Sequence, residues 1–362
     1  MMMNLLEILI FGSLVLLGII LLANPLKLNR KANIWLGTFL LIWATFWLEE
    51  ITGLISDNRL ESGSVFYLKF IQFLAPVVFF ISIRYFTNPG YKIGRHMILY
   101  LAIPIIYLVL LILDNHLPGR LNGVLLGFIL IHGFAYTILS LFQIRKHKKR
   151  IQNFSSNTVQ IDLTWLESIA WSTLFLVSGI IIFNLVFYAS RLNLFMNGFV
   201  YVVILFTAYH SLKQKEIFPV DEQERSEALL LLEETETIQN KMMSDEKLVE
   251  EKSRLNEFLI KEEPFLDTEL SLGKLAKMLH LTSHQLSYII NNGFNQNFNG
   301  FINKFRVEKA KKLLVEDRKL DTYSIIGIAF ESGFNSKTSF NTAFKKITGQ
   351  TPSEYKNSRS EL

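Results

Sequence analysis

Ile328-Ala329-Phe330-Glu331-Ser332-Gly333-Phe334-Asn335-Ser336-Lys337-Thr338-Ser339-Phe340-Asn341-Thr342-Ala343-Phe344-Lys345-Lys346-Ile347-Thr348-Gly349-Gln350-Thr351-Pro352-Ser353-Glu354-Tyr355 is the stretch on which the reading of this chain turns. Ile325, Ile328 and Ala329 recur at helical spacing and make one packed face. Gly333 supplies a left-handed turn residue without a Cβ penalty. Phe334 then plugs the core, and Ser336 is placed to cap the next helix by accepting an orphan backbone N–H. Phe340 and Phe344, one turn apart, anchor that second helix and leave Lys337, Thr338, Asn341 and Thr342 facing outward. Gly349 ends it and Pro352 prevents its continuation.

The same plan occurs upstream. Leu272, Leu275, Ala276 and Leu279 stand at i, i+3, i+4 and i+7, with small Ala276 where a second helix must cross closely. His280-Leu281-Thr282 makes the turn, Leu281 plugs the core, and Thr282 or Ser283 caps the following helix. That helix buries Leu286, Ile289 and Ile290 and is expected to present Ser283, His284, Ser287 and Tyr288. The steps Ala276 to Leu281 and Ala329 to Phe334 have equal length. Two short helices about a tight turn, the second polar at its start, are the arrangement that lays a recognition helix in the major groove of double-stranded DNA. Between the two units, residues 298–316 read as one helix of ~28 Å at 1.5 Å per residue. That length suits holding two recognition helices near one DNA turn, ~34 Å, apart.

Residues 264–355 resemble an AraC-type DNA-binding domain, through the Gly-Phe turn, the aromatic anchor, Phe344-Lys345-Lys346 and the Gly349, Pro352, Tyr355 spacing. Within that family the chain is similar to the membrane-bound bacterial branch, in which a multi-pass sensor precedes the reader. The resemblance implies base contacts from His284, Ser287 and Tyr288 in the first unit and from Lys337, Thr338 and Thr342 in the second. It implies phosphate contacts from Lys304, Lys345 and Lys346, and from Arg306 either a phosphate contact or a hold on the long helix. His280 departs from the family pattern, where glycine is frequent; histidine tolerates positive φ better than most residues. Ser287 and Thr342 are short for bidentate base contacts.

The first 210 residues are of another kind. Seven apolar stretches, roughly 5–23, 33–55, 65–86, 96–113, 121–144, 167–189 and 193–210, approach the ~20 residues that cross a bilayer as a helix. Met1-Met2-Met3-Asn4 lacks the basic start of a cleaved signal peptide. One set of connecting loops carries Lys27, Arg30, Lys31, Arg84, Lys92, Arg95, Arg145, Lys146, Lys148, Lys149 and Arg150. The alternating set carries only Arg59, Arg120 and Arg191. That asymmetry predicts an outside N-terminus and a cytoplasmic C-terminus, and the resemblance to the membrane-bound bacterial branch implies that the membrane is the bacterial inner (cytoplasmic) one.

Charge divides the chain similarly. Residues 1–220 hold 17 basic against 9 acidic side chains, residues 221–263 hold 6 against 14, and residues 264–362 hold 14 against 9. The basic end suits phosphate contact. The acidic stretch, rich in helix formers, predicts a helical spacer whose charge keeps it off DNA. Leu229–Leu232 form a block rather than a heptad, so dimerisation there is only an option. The chain has no cysteine, which excludes disulfides, thiolate metal sites and a cysteine nucleophile. No His-Glu-x-x-His, phosphate-binding Gly-rich loop or Gly-x-Ser-x-Gly is present, so no catalytic residue, metal or cofactor is expected.

Polar residues in the apolar half point to a signal. Glu49, Glu50, Lys69, Gln72 and Asn184 fall near the outer ends of their spans, and His132 near the middle of its own. Ionisable groups at that depth are costly unless paired or facing water. Two readings stay open: an outward-opening ligand pocket with Glu49 or Glu50 paired to Lys69, or interfacial snorkelling with His132 bonded inside the bundle. The five tryptophans are expected as interfacial anchors.

The expected molecule is all-α: a seven-helix transmembrane bundle at 1–210, an acidic helical linker at 211–263 and a double helix-turn-helix domain at 264–362. Its expected role is a membrane-tethered, one-component transcriptional regulator. Its expected partners are double-stranded DNA, the lipid bilayer, an unknown membrane or extracytoplasmic signal and a second copy of itself. The alternative is a seven-span receptor whose cytosolic tail docks proteins rather than DNA.

Overall fold

In the computed structural model, α1 (Met2–Ala23) packs along α2 (Arg30–Ala44), and two glycines set how closely. A Cβ on Gly37 would stand 2.7 Å from the Gly18 carbonyl oxygen, and one on Gly18 would stand 2.9 Å from the Leu41 side chain. Small residues that let backbones approach are the usual means of packing helices where no water drives them together. The structure describes residues 2–55, 62–92, 94, 97–116, 119–158, 161–187, 194–218, 242–316 and 324–358.

The chain divides into two compact units, Met1–Lys146 with Leu163–Ile217, and His147–Asp162 with Phe218–Leu362. In the first unit α2 runs through a single 3-10 turn, Thr45–Trp47, into α3 (Leu48–Ile55). Next come α4 (Ser62–Phe73), α5 (Ala75–Thr87), α6 (Met97–His116), α7 (Asn122–Ile151), α8 (Thr164–Phe187) and α9 (Leu194–Lys213). Pro76, in the first turn of α5, separates it from α4, since a proline lacks the N–H that a helix interior needs. Side-chain bonds join helices distant in sequence. Ser82 donates to the Ala32 carbonyl (3.0 Å), the Trp47 indole to Asn197 (3.1 Å) and the Trp165 indole to Gln214 (2.6 Å).

Among the described residues, five helices are long and apolar enough to cross a membrane: Met3–Ala23, Arg30–Leu54, Gly63–Thr87, Asn122–Ile151 and Leu194–Lys213. The expected fourth span falls on α6, whose apolar run Tyr100–His116 is shorter, and the expected sixth falls on α8.

In the second unit, α10 (Asp245–Glu262) is capped by Ser244, whose hydroxyl accepts the Lys247 N–H. A solvated spacer is not what residues 242–263 form. Leu255 and Leu259 are buried, and Arg254 donates to the Leu279 carbonyl at 2.9 Å. Sequence composition hid this because only one stripe of an otherwise charged helix is apolar. The earlier part of the expected linker, 219–241, lies outside the described residues.

The helices α11 (Leu272–Met278) and α12 (Ser283–Tyr288) follow, then a π turn (Ile289–Gly293) and the 19-residue α13 (Phe298–Glu316). The last three are α14 (Ile325–Glu331), α15 (Lys337–Thr348) and α16 (Pro352–Ser358). The described residues are helical apart from turns, loops and one isolated antiparallel bridge. The long α13 is the shared wall. Val307, Ala310 and Leu314 of its second half join Ile328, Ala329, Phe334, Phe340, Ala343 and Phe344 in one buried cluster. In its first half Phe301 meets Phe294, with ring centres 4.5 Å apart.

Candidate nucleic-acid interface

The two helix-turn-helix units are built on the same backbone bonds. The Leu281 N–H donates to the Ala276 carbonyl at 2.9 Å, and the Phe334 N–H to the Ala329 carbonyl at 3.0 Å. The residue before each stands at positive φ, 57° at His280 and 84° at Gly333. Histidine therefore takes the left-handed position in the first unit, as its place in the sequence required.

Glycine at 333 is demanded twice. Beyond the φ value, a Cβ there would collide with the Phe265 carbonyl oxygen and lie 2.9 Å from the Leu266 Cα. The caps also repeat. Thr282 and Gln285 form a reciprocal capping box at the start of α12, and Ser336 accepts the Ser339 N–H at 3.2 Å at the start of α15. Gly349, at φ 79°, closes α15.

On α15, Lys337, Thr338, Thr342 and Lys345 are exposed and Asn341 is half-buried. At ~100° per residue these five positions fall within one arc of about 140°. Phe340, Ala343 and Phe344 are buried opposite. Lys346 is exposed at the edge of the polar arc. On α12, His284, Ser287 and Tyr288 are half-buried, and the Ser287 hydroxyl accepts from Asn291 at 3.3 Å. Ser283 does not face outward. It is only 3% exposed, because the first residue of α12 sits in the crossing with α11, where its hydroxyl approaches Gly273.

Arg306 is not a phosphate contact. It is 1% exposed, and its guanidinium sits within the second compact unit, where the two helix-turn-helix units meet. It donates to the Phe265 carbonyl (2.7 Å), the Asp267 carbonyl (2.8 Å), and the carbonyl (3.3 Å) and hydroxyl (3.1 Å) of Ser156. It also lies 5.8 Å from the centre of the Phe334 ring. Burial lowers its pKa to about 10, offset in part by the charges of Asp267 and Glu269. A buried cation needs its donors satisfied, and here neutral oxygens do it. Lys304 is exposed on the same helix, the surface position expected of a phosphate ligand.

Sequence reasoning missed Ser156 altogether. It lies in the connection between α7 and α8, more than a hundred residues from Arg306, and no local pattern marks it. The same connection also bonds Asn297 and Asn299.

In the apolar compact unit (Met1–Lys146 with Leu163–Ile217), a cavity of about 410 Å³ gathers three of the six expected pocket residues, Glu50, Gln72 and His132. Its wall is largely apolar and includes the aromatic rings of Phe39, Trp43, Trp47, Phe73 and Phe79. His132 stacks on Phe73 with centroids 4.1 Å apart. The Nε2 of His132 and the Oε2 of Glu50 are buried without a hydrogen-bond partner. Gln72 donates to the Thr45 carbonyl at 3.0 Å. Glu49 and Lys69 are exposed and do not line this cavity, and among the described residues neither glutamate is paired with Lys69. Lys69 lies on an outer face of α4, so the expected ion pair does not form. The side chain of Asn184 lies outside the described residues.

Residues 275–358 match the family model of a helix-turn-helix domain, and this part of the chain is an AraC-type helix-turn-helix domain. An HTH-type transcriptional regulator of Staphylococcus aureus is 33% identical over 91 residues, which is 25% of this chain and 12% of that protein. A probable transcriptional regulator of Photobacterium leiognathi, LumQ, is 29% identical over 116 residues, 32% of this chain and 44% of its own. The chain thus spans about an eighth of the length of the staphylococcal relatives it matches. No solved structure matches it significantly.

Proposed function

We propose that the chain is a membrane-tethered, one-component transcriptional regulator that binds specific DNA through α12 and α15. The observation that carries the reading is the pair of matching turns joined by α13, with the polar arc of α15 left exposed. The relatives named as transcriptional regulators support it. One chain with two recognition helices would contact two successive major grooves, and a second copy would extend the site into direct repeats.

Membrane residence rests on the five membrane-length helices and on what they leave exposed. Ile131 is 71% exposed, Phe142 65% and Phe195 74%. Large apolar side chains uncovered on several long helices suit hydrocarbon rather than water. The loop charges favour an outside N-terminus and a cytoplasmic reader. The aromatic cavity, with the unpartnered atoms of Glu50 and His132, is the candidate signal site, and its volume is within the usual range for small-molecule pockets. A signal bound there acts only if it binds one state of the bundle better than another.

Genome-wide crosslinking of the full-length, membrane-resident protein tests the reading, beside a Lys337→Ala/Thr338→Ala variant. Discrete peaks lost in the variant are the expected result. No peaks in any growth condition would favour a tail that docks proteins.

A further inference from the structure

The connection between α7 and α8 is built into the second unit. The Ser156 N–H donates to the Leu270 carbonyl (3.3 Å) and the Leu272 N–H to the Phe154 carbonyl (2.9 Å). These bonds flank an antiparallel bridge between Ser155 and Ser271. Ser271 is the residue that caps α11, so the bridge sits at the entry to the first helix-turn-helix unit. Asn299, near the start of α13, binds the same segment three times. Its amide side chain donates to the Ser155 carbonyl (3.3 Å) and the Ser156 carbonyl (2.8 Å), and its backbone N–H to the Gln152 carbonyl (2.9 Å). Asn297 adds a bond to the Gln152 side chain at 3.1 Å. Phe154 and Ser156 are buried.

Ser156 also supplies two of the four acceptors of Arg306. Arg306 in turn touches the Phe265–Asp267 lead-in and the Gly333–Phe334 turn of the second unit. Removing the segment would leave a buried guanidinium with two donors lacking partners, a loss larger than that of an ordinary hydrogen bond. It would also unpair the backbone that enters α11. The segment is covalently continuous with α7 and α8, so any change in the spacing of those helix ends is imposed on it.

We propose that residues 152–157 are a coupling strap. When seated, the strap completes the junction between the two helix-turn-helix units and holds the reader in its DNA-competent form. When drawn off, it loosens that junction. The regulatory half of this inference rests on the DNA-binding reading above; the seating of the strap does not. The signal route is then the loop between two apolar helices rather than the acidic linker alone.

The absence of native cysteine makes the test clean. The bonds on either side place Ser155 and Ser271 as a non-hydrogen-bonded antiparallel pair, whose Cα atoms are ~4.5 Å apart, within the range a disulfide spans. The full chain carrying Ser155→Cys and Ser271→Cys, in lipid nanodiscs, is expected to form an intramolecular crosslink under mild oxidant. Neither single variant should form one. Affinity is then read on a duplex of about 40 base pairs from the strongest genomic peak, room for two half-site pairs. Asn299→Ala is expected to weaken binding roughly tenfold, as expected for losing two hydrogen bonds. Oxidation of the double-cysteine chain carrying Asn299→Ala should restore it, and reduction should remove the gain.

No crosslink above the single variants overturns the seating of the strap. A crosslink with identical affinity in oxidised, reduced and Asn299→Ala chains overturns the coupling. A chain that crosslinks but binds no duplex in either state overturns the DNA-binding reading and the coupling with it, while the seating stands.

Discussion

Lys337 and Lys345 stand two turns apart on one face of α15 and are expected to do different work. On the proposed reading Lys337, in the first turn, meets a base edge and Lys345, in the last, a phosphate. Lys337→Ala should relax preference at one base position by ~1–3 kcal/mol. Lys345→Ala should weaken all sequences alike and reduce the salt slope by about one. Binding curves on single-base variants at several salt concentrations separate the two; equal losses on every sequence would refute the assignment. The two turn residues make a second contrast. Gly333→Ala meets both a left-handed φ and the Phe265 carbonyl, so a loss of more than ~3 kcal/mol is expected. His280→Gly meets neither problem, since His280 is exposed. Relief of the left-handed conformation, ~1–2 kcal/mol, outweighs the entropy of an added glycine, ~0.5–1 kcal/mol. A small gain in melting temperature is expected, and a loss would mean that the imidazole has a role in the turn.

At the scale of elements, caps and crossings decide. Ser336→Ala removes the acceptor for the Ser339 N–H at the start of α15 and should cost ~1 kcal/mol, with faster amide exchange in that first turn. The capping box of α16 is pH-dependent. Glu354 accepts the Thr351 N–H at 2.8 Å, and that bond lowers its pKa. A lowered carboxylate pKa gives stability that is whole above the ordinary value of 4.5 and is lost as pH falls through the folded one. The Thr351 amide should exchange faster on acidification, and Glu354→Gln should remove most of that dependence. In the apolar half, Gly37→Leu would force α1 and α2 apart at their closest approach. The expected result is a chain that inserts but melts earlier in detergent.

At the scale of the molecule, sequence and structure divide unevenly. The two helix-turn-helix units were legible almost residue by residue, from Ala276 and Ala329 to the caps at Thr282 and Ser336. Each feature there is local, set by helical periodicity, a left-handed turn and a side chain that reaches two or three residues along. The cavity was half legible. The sequence marks Glu50, Gln72 and His132 as polar in an apolar context, but not which face of a helix each occupies. Lys69 and Glu49 share that marking and lie elsewhere. If seven helices cross as the loop charges predict, α6 and α8 with the five of membrane length, a reporter fused after residue 213 should be active only in the cytoplasm, and one inserted at 117–121 only outside.

The sequence by itself determined the all-α class, the apolar and basic halves, and the double helix-turn-helix domain, because these follow from patterns within one or two turns of the chain. Only the tertiary structure decided that Arg306 is a buried junction rather than a phosphate ligand. It alone placed α10 against the reader and made Gln152–Asn157 part of it. Those facts depend on bonds across tens to more than a hundred residues, formed largely to backbone carbonyls that every residue carries, and such partners leave no mark in composition or periodicity.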